Sequence, residues 1–319
     1  MIKKIFSLVV ISFLTINFSY SFQTSKAKKF AKSITEKELK EHLYIYASDE
    51  FEGRDTGEPG QKKAVEYLRN YYKSIGVEPG DKEGDYFQEM TLTMRGRRGQ
   101  KPKTVETENV VAIIKGSEKP DEYVVITAHL DHVGVDDTGI YNGADDDGSG
   151  TVALLEIAEA FKKAADKGKG PKRSIVFLHV TGEEKGLLGS AYYADNPIYP
   201  LENTVVNLNV DMIGRIDPSR REKNRDYIYL IGSDHDSVDL HKLSEQTNAE
   251  SVNMTLDYRF NDKNDPNRFY YRSDHYNFAK NGIPIIFYFT GTHADYHKIT
   301  DTPCLLYTSD AADDTPCVD

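Results

Sequence analysis

Five short stretches bring acidic and histidine side chains together at the ends of apolar runs. They are AHLDHVG with His129 and Asp131, NGADDDGSG with Asp145 to Asp147, TGEEKG with Glu183 and Glu184, NVDMIG with Asp211, and HADYHKITD with His293, His297 and Asp301. Imidazole and carboxylate donors suit Zn²⁺, which takes about four ligands and leaves one place for water in catalytic sites. Two ions about 3.5–4 Å apart need a carboxylate that bridges them. His129, His297, Asp211, Glu184 and a bridging Asp146 supply that set. Glu183 is spare beside a ligand and, facing another way, is placed for a general base.

Asp145 and Asp147 have a plainer reading, as caps and dipole partners for the helix that follows. His42, His132, His179, His235 and His241 read as structural or solvated. His275 and His293 stand near the motifs and could support the ligands. The 21 tyrosines read as core and half-buried packing in a chain without Trp.

The elements that must position these residues follow from periodicity. Thr35 and Glu38 make a capping-box pattern ahead of a helix through Leu39, Leu43 and Tyr46. A second helix runs from about Lys62 to Gly76, with Val65, Leu68 and Tyr72 on one face. Strands are expected over Tyr86 to Met94, Asn109 to Ile114, Tyr123 to Ala128, Ser174 to Val180, Val205 to Val210, Tyr227 to Ile231 and Ile283 to Phe289. Arg95 to Lys103 reads as a basic turn. Helices are expected over Ser149 to Ala165, Leu187 to Ala194, Ser237 to Thr247 and Asp274 to Lys280. Alternation of this kind predicts one α/β domain whose mostly parallel sheet carries helices on both faces. The C-terminal ends of such strands open onto the ligand crevice.

The ordered motifs, from Asn109 to Pro303, resemble those of the two-zinc aminopeptidases of peptidase family 28, which include bacterial leucyl aminopeptidases. The resemblance implies the mixed, mostly parallel three-layer sandwich of the zinc aminopeptidase/phosphorylase-like type. It implies two Zn²⁺ ions, one on His129 and Asp211, the other on Glu184 and His297, with Asp146 between them. Asp131 would accept a hydrogen bond from His129, and Asp301 one from His297. Glu183 would be the base, and Tyr270, by its spacing from Ser273, Asp274 and His275, would help stabilise the oxyanion. The implied substrates are peptides with a free N-terminus, cleaved at their first bond by a water that the metals activate. A one-zinc glutaminyl cyclase, a non-catalytic binding module and a glutamate-type carboxypeptidase are the rival readings within that fold.

At 319 residues the chain has length for a large core, with 39% apolar residues. The net charge of −11 and pI near 5.4 argue against nucleic acid or anionic membrane as main partner. Lys3 and Lys4, the apolar run from Ile5 to Phe18, and Ser19 and Ser21 predict a signal peptide over 1–21 that is cleaved, leaving no membrane insertion and a secreted or periplasmic protein. The metallopeptidase domain is expected over 22–303. The two cysteines, Cys304 and Cys317, fall in the tail 304–319. That tail has little helical periodicity and reads as foreign sequence in place of the family's closing helix.

Overall fold

In the computed structural model, residues 27–81, 84–95, 101–221 and 225–303 are described. The expected signal peptide, the tail 304–319 and the tip of the basic turn lie outside them.

Among the described residues a nine-stranded sheet forms the middle layer. The strands are β1 (Glu78–Pro79), β2 (Phe87–Met94), β3 (Lys103–Ile114), β4 (Lys119–His129), β7 (Arg173–Val180), β8 (Thr204–Val210), β9 (Tyr227–Ile231), β10 (Thr255–Asp257) and β11 (Ile285–Phe289). Their order is β1-β3-β7-β4-β8-β11-β9-β10, with β2 on β3. The inner strands β7, β4, β8 and β11 run parallel. β3 meets β7, and β9 meets β11, in antiparallel fashion. A small hairpin, β5 (Gly134–Asp136) with β6 (Gly139–Tyr141), stands apart.

The pleat sorts side chains onto two faces. Val110, Ala112 and Ile114 of β3 pack in one apolar cluster with Leu43, Leu68 and Leu154, which lie on α1 (Glu36–Tyr46), α2 (Pro59–Ile75) and α3 (Gly150–Ala165). Val111 and Ile113 of the same strand pack on the other face with Tyr193 of α4 (Leu188–Asp195) and Phe278 of α6 (His275–Ala279). α5 (Val238–Glu250) is a surface helix with no buried residue. The three-layer α/β architecture expected from the sequence is present.

Local signals explain the boundaries. Thr35 Oγ1 accepts from the Glu38 amide at 3.2 Å and donates to the Glu38 carboxylate at 2.7 Å, starting α1. α2 starts three residues ahead of the expected Lys62 because Pro59 takes the first helical turn, where its missing N–H costs nothing. Gly76, at φ 71°, ends it in the left-handed region.

Candidate metal centre

Four of the five motifs sit at or beyond the C-terminal end of an inner parallel strand. His129 ends β4, and Glu183 and Glu184 follow β7. Asp211 follows β8, and His293 and His297 follow β11. Register places His129 beside Val180, so the first two loops leave the sheet at one level. The acidic triple lies in a tight turn, Ala144–Ser149, that feeds α3, and the Asp146–Asp147 peptide is cis.

Asp146 is the centre of the arrangement. Its Oδ1 is 3.0 Å from His129 Nε2, and its Oδ2 is 3.0 Å from His297 Nε2. His129 Nε2 also stands 3.7 Å from Asp211 Oδ1, and His297 Nε2 stands 3.0 Å from Glu184 Oε1. The structure thus gathers His129, Asp146, Asp211, Glu184 and His297, with one oxygen of Asp146 facing each histidine. A sixth group joins them: His132, read from sequence as structural or solvated, places Nδ1 3.0 Å from Glu184 Oε1. One ligand atom each from His129, Asp146 and Asp211 lies within 4.8 Å of the others, as does one each from His132, Asp146 and Glu184.

These donors fit a divalent cation. Asp146 Oδ2, Glu184 Oε1 and both His132 nitrogens are buried and have no hydrogen-bond partner, a costly state that coordination would relieve. The mixture of imidazole and carboxylate is that of zinc. Burial would push Asp146 up, but the His129 and His297 imidazoles outweigh it and hold the carboxyl well below its usual range. Burial and Asp146 act upward on Glu184, yet His132 and His297 bring it down to about 2. Burial lowers His297, while Asp146 and Glu184 raise it more, to about 10. A divalent cation would take the place of the protons that these imidazoles hold.

Surrounding groups aim the ligands. His129 Nδ1 lies 3.0 Å from the backbone carbonyl of Asp131 and 3.9 Å from its carboxylate. The expected carboxylate acceptor is therefore replaced by the main chain, which equally leaves Nε2 free to bind metal. The Asp131 carboxylate instead accepts from Thr56 Oγ1 at 3.0 Å and the Glu183 amide at 3.1 Å. Asp301 likewise accepts from the amides of Asp145 and Asp146, at 3.1 and 3.2 Å, and not from His297 as expected. Asp147 accepts from the amides of His129, Gly150 and Met212, so it caps α3 and ties three segments together. Asp145 reaches His293 Nε2 at 3.2 Å and the Gly214 amide at 2.7 Å, and so supports a neighbour where a cap was expected. Ser273 Oγ donates to Asp211 at 2.6 Å and receives a bond from Asn209. His179, on Tyr72, and His275, on the Tyr270 carbonyl, are buried core residues.

Arg54, in the loop after α1, is 1% exposed. It donates to the carbonyls of Leu130, Tyr46, Asn142 and Gly143, joining the two loops that carry His129 and Asp146. Gly143 lies at φ 53°, and a side chain there would collide with the Asp146 carbonyl and the His132 ring. Neither role was legible in the sequence, because both depend on contacts far along the chain.

Glu183 lines a cleft with Asp146, Asp211, Arg272 and Tyr296. Burial, with Glu184, Asp274 and Asp211 nearby, raises its carboxyl well above the usual range despite His129. Tyr270 is absent from that cleft wall. Its ring packs on His235, 4.7 Å away, and on Tyr271 and Tyr276 in the core. The tyrosine on the cleft is Tyr296, whose ring stacks on His297 at 3.9 Å. A larger cavity of 770 Å³ between Phe30 and Phe161 contains no acid–histidine cluster, so the chemistry places the site at the smaller cleft.

Comparison with known proteins agrees with this geometry. A probable zinc metalloprotease of Leptosphaeria maculans is 29% identical over 236 residues, covering 66% of this chain and 52% of that protein. The chain thus spans about half the length of that curated relative. Among solved structures, the LapA aminopeptidase of Legionella pneumophila matches with TM-score 0.63 and 20% identity over 87% of this chain and 68% of that one. The glutaminyl cyclase of Porphyromonas gingivalis matches with TM-score 0.64 and 20% identity over 85% and 91%. At these identities the two structures establish a common fold. The description Peptidase family M28 matches residues 109–311, more than half of the sequence and all five motifs, and the chain belongs to that family.

Proposed function

We propose that the protein is an exported two-zinc aminopeptidase that hydrolyses the first bond of peptides with a free N-terminus. The observation that carries this reading is Asp146, whose two oxygens face separate histidine–carboxylate sets beside an uncommitted Glu183. His129, Asp211 and Asp146 would hold one ion, and Glu184, His297 and Asp146 the other. Zinc bound there supplies Lewis acidity, polarising a peptide carbonyl and acidifying water.

The chain's own residues do the rest. Glu183 takes the water's proton and hands it to the departing amine, and its raised carboxyl makes it a stronger base. Burial, with Asp146 and Glu184 beside it, raises the Tyr296 phenol and keeps it protonated, so it can donate to the developing oxyanion. Residues 1–21 would direct export to the periplasm or beyond.

The glutaminyl cyclase neighbour supports a second reading on the same fold. Zinc content and turnover of aminoacyl chromogenic substrates, measured beside Glu183→Gln, separate the two. Two ions per chain, with activity down at least about 10³-fold and metal retained in the variant, is the expected result. One ion with cyclisation of N-terminal Gln would replace it with the cyclase reading.

A further inference from the structure

His132 has no part in the chemistry above, yet its placement is demanding. The residue is fully buried, at 0% exposure, and neither ring nitrogen has a hydrogen-bond partner. Its ring is held against the bare Cα of Gly143. Nδ1 lies 3.0 Å from Glu184 Oε1 and 4.0 Å from Asp146 Oδ2. Those same two oxygens also lack hydrogen-bond partners and each lie 3.0 Å from His297 Nε2. Donors about 2.0–2.1 Å from a tetrahedral zinc stand about 3.3–3.4 Å from one another. Separations of 3.0 to 4.0 Å straddle that spacing.

We propose that His132 Nδ1 is a ligand of the ion held by Glu184 and His297, which then has four protein donors: His132, His297, Glu184 and the bridging Asp146. The set formed by His129, Asp146 and Asp211 has three. Four-donor sites are typically closed and structural, whereas three donors leave a position for substrate or water. The two ions therefore divide the work. An ion held by His132, Glu184 and His297 would tie together the loops after β4, β7 and β11. An ion held at Asp211 would have fewer protein donors and would face the cleft, whose wall includes Asp146, Glu183 and Asp211 but neither His132 nor Glu184.

This inference rests on the two-metal reading, and the test separates them. Zinc is titrated into the full chain carrying isotope-labelled histidine, and the imidazole nitrogens are followed by NMR. Chelator competition then gives the affinity of each ion in wild type and in His132→Gln. The expected result is a ligation shift at His132 Nδ1 together with those at Nε2 of His129 and His297. In the variant one ion keeps its affinity and the other weakens by more than about 100-fold, beyond the 10–100-fold cost of losing an orienting partner. Unchanged His132 nitrogens, or a variant that binds both ions as wild type does, overturns the proposal. If wild type binds a single ion, the two-metal reading fails, while a shift or its absence at His132 still decides the ligand assignment. If it binds none, both fall. The wild-type spectra decide the matter even if the variant does not fold.

Discussion

Tyr296 shows how a single side chain can be placed by its neighbours. Its ring lies on His297, and Arg272 Nη2 donates to its hydroxyl over 3.4 Å. Tyr296→Phe removes the hydroxyl proposed to donate to the oxyanion and is expected to lower kcat by about 10²-fold with KM changed only a few-fold. Tyr270→Phe is expected to leave kcat within two-fold or so, since that ring faces the core. Steady-state kinetics on one aminoacyl substrate compares them, and a kcat loss in the Tyr270 variant alone would reverse the assignment. Sequence pointed to Tyr270 through its distance from Ser273. It could not show that Phe269–Tyr271 forms a tight turn, which sends Phe269 to the cleft and Tyr270 inward. The acids and histidines gathered at the centre were legible because these types recur at or near strand ends in the sequence. Their supports were not: a backbone carbonyl behind His129 and the amides held by Asp301 have no sequence signature.

Among the elements, α1, α2 and α3 meet at a polar contact inside an apolar cluster. His42 of α1 reaches Tyr67 of α2 at 2.6 Å and Glu156 of α3 at 3.5 Å. Burial pushes Glu156 up to about 7 from an ordinary 4.5, helped by Glu38 and Glu159. Burial also lowers His42, which therefore adds little positive charge at neutral pH. The unfolded chain releases the Glu156 proton near pH 4.5, but the folded chain keeps it to about 7. Stability contributed by this group is thus full below pH 4.5 and is lost as pH rises through 7. Glu156→Gln is expected to flatten that slope and to add about 1–3 kcal/mol near pH 8. Urea titrations near pH 5 and pH 8 check it, and a variant with the wild-type slope would refute it. The helices themselves could be read from capping and 3.6-residue periodicity. The two-residue β1 and the hairpin β5–β6 could not, because strands of two or three residues carry too little alternation to stand out.

Across the whole molecule, the carboxylates of Asp146, Asp147, Glu183, Glu184 and Asp211 converge on one end of the sheet. Cation binding at that end is specific to the folded chain, so it must stabilise the fold. Removing metal with a chelator is expected to lower Tm by about 5–10 °C, with recovery on adding zinc. An unchanged Tm would argue against tight binding at this centre. Strand order carries a different consequence, for biosynthesis. β4 sits between β7 and β8, both of which follow it in sequence. As the chain grows, β4 emerges as an apolar strand with both edges open, and its second neighbour is complete only at Val210, roughly eighty residues later. At about 5–20 residues per second the nascent chain carries at least one open edge of β4 for about 4–16 s. In that interval its edges can pair with another chain, so the yield of folded protein depends on what shields β4 while the ribosome is still adding β8.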